Sequence, residues 1–69
     1  MRSILDAPWR REVLKVIQEH PEGVTGSQIR EHIDIDPNEL RRCTYVLRIN
    51  GFIRRKTSGK RYEPVWVIA

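Results

Sequence analysis

The chain has 69 residues, 39% of them hydrophobic and 32% charged, with 13 Lys and Arg against 9 Asp and Glu for a net charge of +4. A chain this short folds as one small domain over residues 1–69 and buries only about 60% of its unfolded surface, so it has little room for a core and a deep enzyme cleft together. No apolar run approaches the roughly 18 residues of a membrane span, and a lone cysteine, Cys43, excludes an intrachain disulfide.

The first residues, with Asp6 and Pro8 interrupting a short apolar stretch, do not read as a secretory signal, and residues 1–5 are expected to form a flexible arm. The predicted compartment is a reducing one: cytoplasmic or nucleoid-associated, nuclear if the source is eukaryotic. Asp6 is a good N-cap and Pro8 is tolerated in a first turn, so a helix is predicted over about 7–20. Trp9, Val13, Val16 and Ile17 form its apolar stripe, opposite Arg10, Arg11, Lys15 and Gln18. His20 is placed to meet the last carbonyls of that helix, Pro21 ends it and Gly23 turns the chain. Val24 suits one short strand.

Thr25 and Gln28 make a Thr-x-x-Gln capping box at the head of a second helix, about 26–33, with Ile29 and Ile33 inward. Asp36-Pro37-Asn38-Glu39 is a second start signal, with Asp36 as N-cap, Pro37 at the first helical position and Glu39 at the third. It opens a helix over about 37–50, and two helices separated by so short a turn predict a helix-turn-helix. At 100° per residue, Leu40, Cys43, Thr44 and Leu47 fall on one side of this third helix. Asn38, Arg41, Arg42, Tyr45 and Ile49 fall on the other, with Arg48 at the edge. Asn50-Gly51 stops the helix, and Phe52 at C″ is placed to pack on Leu47 in a Schellman arrangement. The remainder, about 52–68, predicts a hairpin turning at Ser58-Gly59-Lys60, with Pro64 at an edge or bulge because it cannot donate to a ladder.

Charge is distributed unevenly along these elements. Residues 1–38 hold 5 basic and 7 acidic side chains, whereas residues 39–61 hold 8 basic side chains against Glu39 alone. A +7 segment coinciding with the third helix and the hairpin points to a polyanion as partner.

The chain resembles a winged helix-turn-helix domain over about residues 6–69. The likeness rests on Val24-Thr25-Gly26-Ser27-Gln28-Ile29 opening the second helix, the step Asn50-Gly51-Phe52-Ile53, and a hairpin ending Val65-Trp66-Val67-Ile68. The resemblance implies an α+β fold, a three-helix winged helix-turn-helix with a C-terminal β-hairpin wing. A narrower likeness is to the Zα family, winged-helix domains that bind left-handed nucleic acid through an Asn-x-x-x-Tyr pair on the third helix and a Pro-x-Trp in the wing. Tyr45 and Pro64-Val65-Trp66 match that pattern, but Arg41 stands at the asparagine position. In that reading Trp66 braces Tyr45 edge to face.

The side-chain chemistry favours duplex DNA. Arg41 or Arg42 is suited to guanine O6 and N7, Asn38 to adenine, and Ile49 to a thymine methyl group. Tyr45, Arg48 and the wing residues Arg54, Lys56, Lys60 and Arg61 are suited to the phosphate backbone. Strand alternation prevents Arg54, Arg55, Lys56, Lys60 and Arg61 from all facing one side. Ser27, at the head of the second helix, is a further phosphate candidate. Trp9 reads as core, and the inward face of the strand carrying Trp66 stays open.

Catalysis and metal binding find no motif: His20, His32 and Cys43 lie on three different helices without paired spacing. No cofactor, membrane or small-molecule ligand is expected. The expected function is a non-enzymatic, sequence-specific regulator of transcription on duplex DNA, with a homodimer formed on the DNA among the expected partners. The alternatives are Zα-like binding through Tyr45 and Trp66, and a winged-helix protein-interaction module using the acidic N-terminal half with Ile4, Leu5 and Ile35.

Overall fold

The capping signals at the second and third helices are realised as hydrogen bonds. The computed structural model describes residues 4–56 and 64–69. In it, helix α2 (Gly26–His32) starts at Thr25, whose hydroxyl accepts from the Gln28 amide at 3.2 Å while the Gln28 side chain accepts from the Thr25 amide at 2.9 Å. Helix α3 (Pro37–Ile49) starts at Asp36, whose carboxylate accepts from the Asn38 amide at 2.9 Å. Its end is a Schellman motif: Phe52 N–H bonds the Leu47 carbonyl, Gly51 N–H bonds that of Arg48, and Gly51 takes φ +81°. Phe52 is half-buried against the core.

The first helix departs from expectation. Helix α1 runs Arg10–Gln18, and Asp6 does not cap it. Residues Ile4–Asp6 form a 3-10 turn instead, tied down by Arg10 Nη1 donating to the Ile4 carbonyl at 2.7 Å. Asp6 pairs with Arg11 at 2.9 Å on the exposed surface. Trp9 occupies the cap position in the left-handed region, φ +72°, with no side-chain cap bond. A proline disfavours the helical region for the residue before it, here Ala7, and the left-handed turn at Trp9 lays its ring against the core. That conformation costs about 1–2 kcal/mol for a non-glycine residue, which the packing of a large ring offsets. At the other end, His20 Nδ1–H donates to the Val16 carbonyl at 2.8 Å, as the sequence predicts.

Strand β1 (Val24–Thr25), strand β2 (Ile53–Lys56) and strand β3 (Val65–Ile68) form one antiparallel sheet in the order β1-β3-β2. Pro64 lies just before β3. The register pairs Ile53 with Ile68, Arg54 with Val67, Arg55 with Trp66 and Lys56 with Val65. Directly paired residues share a face, so Ile53, Arg55, Trp66 and Ile68 lie on one side and Arg54, Lys56, Val65 and Val67 on the other. Trp66 and Ile53 point inward to a core with Val13, Ile17, Ile29, Leu40, Cys43 and Leu47. The opposite face is covered near Gly23 (φ +111°), and Lys56 Nζ donates to the Glu22 carbonyl at 2.8 Å.

The arrangement is an α+β domain of three helices and a three-stranded antiparallel sheet, compatible with a winged-helix-like fold. The expected hairpin turn at Ser58-Gly59-Lys60, with Arg61, lies outside the described residues. Among the described residues no helix is long and apolar enough to cross a membrane.

Candidate nucleic-acid interface

The 100° spacing divides α3 as the sequence predicts. Leu40, Cys43, Thr44 and Leu47 are buried, while Asn38, Arg41, Arg42, Tyr45, Arg48 and Ile49 are exposed, Tyr45 at 55% and Ile49 at 59%. Thr44 is the one buried polar residue of the described chain, and its hydroxyl donates to the Arg41 carbonyl at 3.0 Å. The Arg48 guanidinium sits over the Tyr45 ring, 5.8 Å from its centroid, within the range where the ring face attracts a cation. Among the described residues, none of Arg41, Arg42 and Arg48 pairs with a carboxylate, whereas Arg11 pairs with Asp6.

Beside this face runs a groove of about 280 Å³ where the starts of α2 and α3 meet the start of β3. Ser27, Arg30, Arg41, Thr44, Pro64 and Trp66 line it, so the fold brings together three residues the sequence singles out: Ser27, Arg41 and Trp66. Arg30 is an addition. It lies three residues after Ser27, the spacing that puts both on one side of α2, and that spacing is its signal in the sequence.

Trp66 is 8% exposed and braces the groove from within the core. Among the described residues no ring contact joins Trp66 to Tyr45, whose ring is matched with Arg48 instead.

The wing cations divide between two faces. Arg54 and Lys56 point away from Trp66, lining a separate depression with Gln18, Pro21, Val67 and Ile68. Arg55, which the sequence does not single out for the phosphate backbone, stands on the Trp66 face. Lys60 and Arg61 lie outside the described residues.

The thiol of Cys43 is 2% exposed and directed at the Pro8 carbonyl, 3.8 Å away. Burial pushes its pKa up, and the nearby Glu39 charge adds to the rise, so it stays a protonated packing group, with none of the thiolate character that reactivity needs. Comparison with family models, curated proteins and solved structures returns no match.

Proposed function

We propose that this chain is a winged helix-turn-helix reader of duplex DNA that regulates transcription, with α3 in the major groove and the β2–β3 wing on the phosphate backbone. The observation that carries the reading is the exposed face of α3, where Asn38, Arg41, Arg42, Tyr45 and Arg48 stand together without a carboxylate partner among the described residues. A helix about 10–12 Å across fits a major groove about 12 Å wide. Arg41 and Arg42 read guanine edges or hold phosphates, and Tyr45 with Arg48 contacts the backbone. Arg30, Ser27 and Arg55 flank the same side and extend the phosphate track. The protein acts by binding and catalyses nothing. A footprint this small gains operator-level specificity from a second copy on the DNA. Selection of bound duplexes from a random pool at physiological salt tests the reading: a recurrent motif is the expected outcome, and a pool that stays unenriched counts against it.

A second reading, Zα-like binding of left-handed nucleic acid, is favoured by one observation: Arg41 and Trp66 share a groove, and Tyr45, one turn on, is exposed. It predicts that saturating protein inverts the circular dichroism of an alternating CG duplex, and a spectrum that stays right-handed removes it.

A further inference from the structure

The fold joins two histidines that lie twelve residues apart in the chain. His20, after the end of α1, and His32, the last residue of α2, have ring centroids 5.0 Å apart with planes inclined at 58°. The Val16 carbonyl, 2.8 Å from His20 Nδ1, can only accept, so Nδ1 carries the proton and Nε2 of the neutral ring keeps its lone pair. A backbone carbonyl holding one imidazole nitrogen so that the other is free is the arrangement that orients a metal-binding histidine.

The spacing fits as well. With metal–nitrogen bonds of about 2.0–2.1 Å and a tetrahedral angle, two imidazoles on one ion set their centroids about 5 Å apart. The surroundings are acidic: Glu19 and Glu22 bracket His20, Glu31 and Asp34 bracket His32, and all four carboxylates are exposed. Lys56 Nζ donates to the Glu22 carbonyl at 2.8 Å.

We propose that His20 and His32 form a two-imidazole site for a borderline divalent transition metal, of which zinc is the representative. Among the described residues no group of three His, Cys, Asp or Glu is placed to hold a metal, so the site is open, with water completing the shell. It differs from a structural zinc site, where four protein ligands close the shell. Nickel(II) and copper(II) also suit imidazole nitrogen. A bound ion ties the end of α1 to the end of α2. The site does not depend on the nucleic-acid reading, because neither histidine lines the α3 groove.

Titration of the intact chain with zinc chloride, followed by calorimetry and by the imidazole proton resonances, tests the proposal. The expected result is saturable uptake of one Zn²⁺ per chain that moves both imidazole resonances and raises the thermal midpoint, since an ion held by the folded state stabilises it. His32→Gln, at an exposed helix end, is expected to leave the metal-free midpoint in place and weaken uptake about tenfold or more. His20→Gln weakens it likewise. No saturation by about 1 mM zinc overturns the proposal. So does uptake that is unchanged in His32→Gln, which would assign the ion to the carboxylates.

Discussion

Arg55 stands directly opposite Trp66 across the β2–β3 ladder, which puts its side chain on the face of the sheet that carries the α3 groove. Arg54, its neighbour in sequence, pairs with Val67 and projects from the other face. Two adjacent arginines are therefore predicted to behave differently. Arg55→Ala lowers the salt slope of duplex binding by about 0.9, the contribution of one phosphate contact. Arg54→Ala leaves it unchanged. Equal effects from the two variants in a fluorescence-anisotropy salt series would contradict the assignment of faces.

Gly51 and Gly23 both have positive φ, but their surroundings differ. A Cβ on Gly51 meets nothing within 4 Å, whereas one on Gly23 comes within 2.5 Å of Val65 Cγ1. Gly51→Ala is expected to cost about 1–2 kcal/mol in urea unfolding, the penalty of a left-handed alanine. Gly23→Ala adds a clash with a stiff β-branched side chain, a further cost of about 1–3 kcal/mol, and is the more destabilising of the two.

The buried Cys43 thiol links stability to pH. Its pKa is raised in the folded chain, by burial first and then by Glu39. A raised pKa means the folded state holds the proton more tightly than the unfolded one. This contribution is therefore complete below the unfolded value, near 9.0, and is lost as pH rises through the folded one. The difference in unfolding free energy between wild type and Cys43→Ala is expected to be level from pH 6 to 8 and to shrink above about 9. Iodoacetamide at pH 8 should label the native chain far more slowly than the urea-unfolded chain.

Removal of the Thr25 hydroxyl takes away one half of the capping box at α2. Thr25→Ala is expected to cost about 1 kcal/mol, while Thr25→Ser, which keeps the acceptor oxygen, costs little. Thermal unfolding of the pair distinguishes a cap from a packing role.

These sites show which parts of the molecule the sequence discloses. The starts of α2 and α3 and the stop at Asn50-Gly51-Phe52 rest on bonds between residues two to five apart, so their residue types announce them. The division of α3 into buried and exposed faces follows from helical periodicity alone. The start of α1 is not legible in this way, because Trp9 adopts φ +72° where its ring packs against a core assembled from distant residues. The wing cations need a register: alternation says that Arg54 and Arg55 face opposite ways, and only the pairing with Trp66 says which faces the groove. His20 and His32 have no spacing motif, since packing of α1 against α2 brings them together.

Salt dependence of the double variant Arg41→Ala/Arg42→Ala tests most directly whether the exposed face of α3 binds duplex nucleic acid. The wild type is predicted to lose affinity steeply between 50 and 200 mM salt, with a log–log slope near −4.5 for about five phosphate contacts. The double variant is predicted to bind at least about tenfold more weakly, with a slope shallower by up to about 1.8 if both arginines hold phosphates. A wild-type response that is flat with salt, or a double variant that binds as the wild type does, would contradict it.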